Sequence, residues 1–492
     1  MKRVLLFATT TGYQTRAFGE AAERLGVELV FATDRCHLIE DPWQDGAVAI
    51  RFYDEEASVA AVLAAAADRP LDGIVVVGDR PTVIAARVAE ALGLPWHPPD
   101  AAAIARHKQR TRERLRAAGL PAPWFLSTSL QSPITPITDQ SRITDQSRIT
   151  DQSRITDQSP ITDQSPITDQ FPITDQSPIT DQSPIPNPQS PFFPCVVKPV
   201  SLSGSRGVMR ADTPEELTAA LERLRVLMRS PEVRAERDDL HETALIEGFI
   251  PGREHAVEAL MHDGALHVLA IFDKPDPLDG PFFEETIYIT PSSAPATEQR
   301  AIVDAIARAA SAIGLRHGPL HGECRVAPDG VVYVLEIAAR PIGGLCASAL
   351  RFAPRGGAGI RDSGFGIRIP LEELLLRHAL GDDPQTWARE PDASGVMMIP
   401  IPRRGIFRGI DGIENARAVP HIDDVRITAK PDQLLVPLPE GASYLGFIFA
   451  RGADPSDVDR ALRAAHRRLT FQIDPEFPVL TTAQINYNQQ HG

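Results

Sequence analysis

His321-Gly322-Glu323-Cys324-Arg325-Val326-Ala327-Pro328-Asp329-Gly330-Val331-Val332-Tyr333-Val334-Leu335-Glu336-Ile337-Ala338-Ala339-Arg340 sets two glutamates thirteen residues apart and follows the second with an arginine. Pro328-Asp329-Gly330 is a turn signal between two short alternating or apolar runs, so the stretch reads as a β-hairpin. Folding back at that turn brings Glu323 and Glu336 close together on one face. Two adjacent carboxylates in a mostly apolar sheet repel each other and are costly to desolvate unless a divalent cation holds them. Arg340 then stands where a phosphoryl group would bridge metal and protein. A hairpin with two solvent-facing glutamates has the same pattern. The choice between the two depends on what lies upstream.

Phe193-Pro194-Cys195-Val196-Val197-Lys198-Pro199 ends an apolar strand with a single charge. An amine at that position needs an anion, and a nucleotide phosphate would serve; a strand-end lysine that snorkels to water is the alternative. Ser201-Leu202-Ser203-Gly204-Ser205-Arg206-Gly207-Val208 follows, small and polar. Backbone N–H groups of such a loop can cradle phosphate oxygens, and its glycines allow close approach. It is not the GK[ST] pattern that leads directly into a helix. In Leu245-Ile246-Glu247-Gly248-Phe249-Ile250-Pro251-Gly252-Arg253-Glu254 an apolar strand enters an irregular stretch. That leaves main-chain groups to pair with an adenine edge, and Glu254 within reach of a ribose diol. An ordinary strand, turn and strand would look similar.

Further out, residues 1–100 alternate strands (Val4–Ala8, Glu28–Ala32, Gly73–Val77) with helices (Arg16–Leu25, Ser58–Ala67, Thr82–Leu92), which predicts a parallel sheet with crossovers. Thr9-Thr10-Thr11-Gly12-Tyr13 lacks GxGxxG, so this lobe reads as one wall of a cleft and not as a dinucleotide site. Residues 104–119 read as a basic amphipathic helix. Ala244–Phe249, Glu254–Met261 and Ala265–Phe272 read as antiparallel strands. Pro214–Met228, Glu298–Ile313, Leu345–Phe352, Leu371–Leu380 and Pro455–Leu469 read as helices. Between Ile137 and Gln182 the unit Ile-Thr-Asp-Gln recurs eight times with a period of six. Each unit carries one aliphatic residue and the later ones a proline, too little to offset ordering entropy, so 131–190 is expected to be a disordered, passive insertion. A hexapeptide β-helix is the rejected alternative.

The chain's 492 residues exceed one core and predict about two to four domains. Its formal charge of −15 argues against a nucleic-acid backbone or an anionic membrane as main partner. The four cysteines are scattered without zinc spacing, as expected of reduced thiols in the cytoplasm. Met1–Ala8 is too briefly apolar for a signal peptide, and no run approaches the length of a membrane helix.

The ordered set of Lys108, Lys198, the Ser/Gly loop, the glutamate-rich hinge and the paired glutamates with Glu336-x-x-x-Arg340 resembles the ATP-grasp superfamily. Phe272-Asp273-Lys274-Pro275, Phe282-Phe283-Glu284-Glu285 and Tyr444-Leu445-Gly446-Phe447-Ile448-Phe449-Ala450-Arg451 resemble its L-amino-acid ligase branch, which joins amino acids into dipeptides. The resemblance implies a mixed α/β and α+β, three-domain fold. A Rossmann-like N-terminal lobe (1–100) would precede a two-lobed ATP-grasp core (101–375, interrupted by 131–190) and a C-terminal α+β domain (376–492). It further implies that Lys108, Lys198 and Lys274 contact ATP phosphates under a closing loop of Ser203, Gly204, Ser205 and Gly207. Main-chain groups of Glu247 and Ile250 would grip the adenine, and Glu254 the ribose. Glu323 and Glu336 would hold Mg²⁺ or Mn²⁺, and Arg340 would face the transferred phosphate or the acyl substrate. Ala338 stands where many members have asparagine, which puts a second metal ion in doubt.

The implied reaction is ATP-dependent joining of a carboxylate and an amine, through an acyl phosphate, by alignment and charge neutralisation. His321 shares the face of Glu323 and is a candidate acceptor for the amine proton; a histidine merely bonded near the metal is the alternative. Glu258 is a candidate to orient the amine, with a strand carboxylate at a domain edge as the alternative, and Gly343-Gly344 to offer N–H groups to a substrate carboxylate, with a simple turn as the alternative. A biotin-carboxylase-like or purine-pathway enzyme, and an ATP-binding scaffold without turnover, are the competing readings. The resemblance allows a homodimer through the N-terminal lobe.

Overall fold

A computed structural model describes residues 1–9, 14–34, 47–131, 193–355 and 367–476. The repeat insertion expected at 131–190 lies almost wholly outside these residues.

The N-terminal domain is a parallel sheet in the order β3-β2-β1-β4, built from β1 (Arg3–Phe7), β2 (Glu28–Thr33), β3 (Val48–Ala49) and β4 (Gly73–Val76). Val4–Phe7 of β1 is apolar without interruption because both faces are covered. Leu5 and Phe7 pack with Ile84 and Val88 of helix α3, whereas Val4 and Leu6 join Leu371 and Leu374 of a later helix, Leu371–Ala379. Helices α1 (Thr15–Leu25), α2 (Glu55–Ala67) and α3 (Thr82–Leu92) fall within a few residues of the periodicity that predicted them. Gly26 and Gly93 end α1 and α3 in the left-handed conformation that glycine adopts without a Cβ penalty.

The single helix expected over 104–119 is two, α4 (Pro99–Arg106) and α5 (Lys108–Ala117). His107 is extended between them, and its ring caps α5 by accepting from the Arg110 N–H at 3.3 Å. Beyond α5, β5 (Phe125–Ser129), β6 (Cys195–Pro199), β7 (Met209–Ala211) and β8 (Thr243–Gly248) form an antiparallel sheet in the order β5-β8-β6-β7, backed by the helix Pro214–Met228. β8 therefore does not pair with β9 (Arg253–His262) and β10 (Ala265–Asp273), contrary to the sequence reading. The cause is local. Gly252 takes φ +117°, where a Cβ would lie 2.0 Å from the Val326 carbonyl oxygen, and the chain turns there from one sheet into another.

The second sheet has eight strands in the order β13-β12-β9-β10-β11-β17-β21-β19. Its members are β9, β10, β11 (Ile287–Thr290), β12 (Gly318–Val326), β13 (Val332–Ala338), β17 (Ala393–Ile399), β19 (Ile422–Ile427) and β21 (Gly446–Gly452). The domain division expected at 375/376 thus cuts a continuous sheet, because β11 pairs with β17 across it. Helix Ala296–Ile313 covers the β9–β13 part, and helix Pro455–His466 the β17–β21 part. Two smaller sheets complete the described fold, β14 (Arg351–Pro354) with β15 (Ile369–Pro370) and β16 (Trp387–Arg389), and β18 (Gly405–Asp411) with β20 (Leu434–Leu435) and β22 (Thr470–Asp474). The helix expected over Leu345–Phe352 is a short 3₁₀ turn, Cys346–Ala349, running into β14, whose pairing with β15 and β16 overrides local preference. Among the described residues no helix is long and apolar enough to cross a membrane.

Candidate active site

The glutamate hairpin folds as its turn chemistry requires, with the Gly330 N–H donating to the Ala327 carbonyl at 2.8 Å. β12 and β13 pair so that Glu323 lies directly opposite Glu336, with an irregularity between Glu323 and Cys324. His321 shares their face. Gly322 points the other way, where a Cβ would come within 2.9 Å of Ile306 on the covering helix.

Lys274, at the end of β10, collects three carboxylates. Its Nζ lies 2.7 Å from Glu254, 2.8 Å from Glu285 and 3.1 Å from Glu323. Tyr288 donates its hydroxyl to Glu285 at 2.7 Å and places its ring beneath the ammonium. Burial would neutralise Lys274, but the three carboxylates hold it well above the usual lysine range. Burial would likewise raise Glu323, yet Lys274 and His321 keep it ionised well below the usual carboxylate range. Glu285 goes the other way: burial and the Glu323 charge push it up to about 7. Lys274 thus contacts three acids, of which Glu254 also has Arg325 and Glu323 also has His321. An oxygen from each of Glu254, Glu285 and Glu323 lies within 4.8 Å of the others, with Glu336 across the hairpin. Lys274 already sits among those three, so the oxygens that fit a hard divalent cation are those of Glu323 and Glu336 across the hairpin.

Two expectations change here. Lys274 is committed to carboxylates rather than open to a phosphate. Glu254 has both oxygens engaged, one by Lys274 and the other by Arg325 Nε at 2.8 Å, so a ribose would have to displace or share these bonds.

His321 lies in the cleft between two carboxylates. Its Nδ1 is 3.1 Å from Glu258 and its Nε2 3.4 Å from Glu323. Burial would lower its pKa, but these carboxylates raise it to about 9. Both ring nitrogens thus face carboxylates, an arrangement that favours the charged imidazolium. Glu258, fully buried and itself raised by burial, also accepts from the Ile342 N–H at 3.1 Å and fixes the chain just past Arg340.

On the other wall, Glu247 joins Arg112 and Lys198. Arg112, wholly buried on α5, donates Nε and Nη2 to the Glu247 carboxylate at 2.9 and 3.2 Å, and Lys198 donates to the same group. Burial works against the charge, but the two cations hold Glu247 down to about 2. Its main chain lies in the central strand β8, in register with Phe125 and Val196. The Ile250 carbonyl accepts from Arg325 Nη1 at 2.8 Å. Lys108 donates to the Leu202 carbonyl at 2.6 Å and lies 3.6 Å from Glu336.

Gly204, Ser205 and Gly207 all take positive φ, giving the small-residue loop its tight curvature. Gly207, however, is turned away from the cleft. Its N–H bonds the Pro439 carbonyl at 2.7 Å, and a Cβ there would lie 2.9 Å from Leu224, so it serves packing and docking. Arg340 makes a two-pronged pair with Asp79 at 2.9 and 3.1 Å; against burial, that pair raises Arg340 and lowers Asp79. Asp79 follows β4, so this contact joins the N-terminal domain to the hairpin.

These elements enclose a cavity of about 460 Å³. Lys108, Lys198, Ser203, Gly204, Ser205, Glu247, Ile250, Glu254, His321, Glu323, Glu336 and Arg340 line it, as do Gly343 and Gly344. Lys274 lies buried behind the Glu254 and Glu323 that line it, and Gly207 lies outside. Sequence reasoning missed Asp79, Arg112, Arg325 and Tyr288, and it gave Glu285 no role. Only Glu285 carried a signal, as one of two acids after Phe282-Phe283. Asp79 and Arg340 are 261 positions apart, and nothing local links them.

Three family models match the chain: an ATP-grasp N-terminal domain over residues 19–96, an ATP-grasp domain over 191–349, and an L-amino acid ligase C-terminal domain 2 over 397–474. Uncharacterized protein y4rH of Sinorhizobium fredii is 26% identical over 288 residues, covering 57% of this chain and 54% of that protein. Alanine--anticapsin ligase of Bacillus subtilis is 28% identical over 163 residues, covering 30% of this chain and 33% of that protein. The matched region thus spans about half the length of the first curated relative and a third of the second. The crystal structure of L-amino acid ligase from Bacillus licheniformis superposes with a TM-score of 0.66 at 24% identity, covering 96% of this chain and 99% of that one.

Proposed function

This chain belongs to the ATP-grasp superfamily, and we propose that it is an ADP-forming carboxylate–amine ligase that joins amino acids through an acyl phosphate. The reading rests above all on Glu323 facing Glu336 across the hairpin, with Arg340 beyond and Lys108 3.6 Å from Glu336, inside one cleft. The names of its relatives, an L-amino acid ligase and an alanine--anticapsin ligase, support amino acids as the substrate class.

Lys108 and Lys198 are assigned to the triphosphate, with the N–H groups of Ser203, Gly204 and Ser205 closing over it. The adenine lies against the hinge, where the Ile250 N–H is the group to meet its edge, since Arg325 occupies the Ile250 carbonyl. Glu323 and Glu336 would hold magnesium or manganese, which when bound would supply charge neutralisation for phosphoryl transfer. Arg340 faces that group, and Asp79 holds its guanidinium in plane.

A substrate carboxylate oxygen attacks the γ-phosphorus, the bond to the β–γ bridging oxygen breaks, and ADP leaves. The amine nitrogen then attacks the acyl carbon of the mixed anhydride, the carbon–oxygen bond to phosphate breaks, and phosphate leaves. The amine must lose a proton in that step. Glu285, which lines the cleft, is the carboxylate assigned to accept it, and His321, held between Glu258 and Glu323, steadies Glu323. The walls of the cleft keep water from the anhydride.

The experiment is coupled ADP release over pairs of amino acids, with the product identified by mass spectrometry. Release that requires both an acid and an amine, with a dipeptide as product, is the expected result. No pair-dependent ADP with any combination would reject the ligase reading.

A further inference from the structure

A second group of side chains lies away from the cleft, around the opposite end of β12. His262 ends β9, His317 immediately precedes β12, and His378 sits on the helix Leu371–Ala379. One ring nitrogen from each lies within 4.8 Å of the other two. His262 Nδ1 is 3.1 Å from His378 Nε2, and the His317 ring stacks on His378 with centroids 4.3 Å apart. Glu323 is six residues along β12 from His317, about 20 Å at the rise of a strand. The two clusters are separate sites.

His97, which packs close by, shows what a purely structural histidine does here. Its Nε2 bonds the Pro319 carbonyl at 2.9 Å and its Nδ1 accepts from the Arg316 N–H at 3.3 Å, so both nitrogens are satisfied by backbone. The three clustered rings differ. They aim nitrogens at one another and at Asp263, and the buried Nδ1 of His317 is not satisfied by backbone. Asp263 brings its oxygens to 3.4 Å from that nitrogen and 3.9 Å from His262 Nε2.

We propose that His262, His317 and His378 form a binding site for a borderline divalent transition-metal cation of the Zn²⁺ class, with Asp263 or water as fourth ligand. Zn–N bonds of 2.0–2.1 Å set two ligands of a tetrahedral ion about 3.3 Å apart, close to the His262–His378 separation. Magnesium, which prefers oxygen, belongs to the carboxylate cleft instead. The ion has a way in, since Asp263 is 83% exposed and His262 25%. Once bound it would tie the helix Leu371–Ala379, whose Ala379 carbonyl packs against Gly73 of the N-terminal domain, to the β9–β10 turn of the large sheet.

The full chain, stripped with chelator and returned to excess Mg²⁺, is titrated with Zn²⁺ by calorimetry and checked for metal content. Co²⁺ serves as a second probe, through the visible band of a tetrahedral site. One equivalent of Zn²⁺ that Mg²⁺ does not displace, with a raised thermal midpoint, is expected. Loss of an outer-sphere partner costs 10–100-fold in affinity, so loss of a ligand in His262→Ala should cost at least about 100-fold. His317→Gln provides the second variant should the first misfold. No stoichiometric uptake overturns the proposal. So does uptake that Mg²⁺ competes away, or uptake that survives both histidine variants and falls only in Glu336→Gln.

Discussion

Glu336 and Glu247 are both acids on strands lining the same cleft, yet their surroundings give them different jobs. The Glu336 side chain is 24% exposed and has Lys108 and Arg340 at 3.6 and 4.0 Å, so it remains available to a cation. Glu336→Gln should cut metal-dependent ADP release by about 100-fold or more, the scale of losing one group that stabilises transition-state charge. Its effect on stability should stay within about 0.5 kcal/mol, read from thermal melts. Glu247 is almost wholly buried between Arg112 and Lys198. Glu247→Gln strands two cations in a low dielectric and should destabilise by about 3–5 kcal/mol in urea unfolding. A loss under about 1 kcal/mol would mean that water reaches the pair.

Among elements, the hinge after β8 and the helix Leu371–Ala379 set how the parts meet. Gly252→Ala places a methyl carbon on the Val326 carbonyl at a φ that L side chains rarely adopt. It should cost about 3 kcal/mol or more and loosen the β9–β12 edge, measurable as faster amide exchange from Arg253 onward. The helix also sets a pH limit. Burial lowers His378 to about 3 and His97 to about 4, from an ordinary 6.5. Both are neutral when folded but take up protons when unfolded, so between those values the unfolded chain binds more protons. Their contribution is present above pH 6.5 and is lost as the pH falls from there toward 4 and 3. Thermal midpoints of chelator-treated protein should fall across that window, and His378→Gln should flatten the decline.

Taken whole, the molecule constrains its own insertion. β5 and β6 flank β8 and both run antiparallel to it, so they are parallel to each other, and the chain must travel back along the sheet between Ser129 and Cys195. Such a crossover needs about a dozen residues. Deleting 133–185 leaves about that many and should preserve both ADP release and the thermal midpoint, whereas deleting 130–194 should prevent folding. Local chemistry was enough to give the N-terminal βα alternation, the small-residue loop and the hairpin that pairs Glu323 with Glu336, because each is written within about twenty neighbouring residues. The partners of those residues were not legible. Asp79 on Arg340, Arg112 on Glu247, and Glu323 on Lys274 come from segments far apart in the chain. By itself, then, the amino-acid order marked candidate groups such as Lys198, Glu323 and Glu336, but not Asp79 or Arg112. Tertiary structure alone decided which are already neutralised, which keep a proton and which stay open to a ligand, because charge in a buried cleft depends on distances that only folding sets.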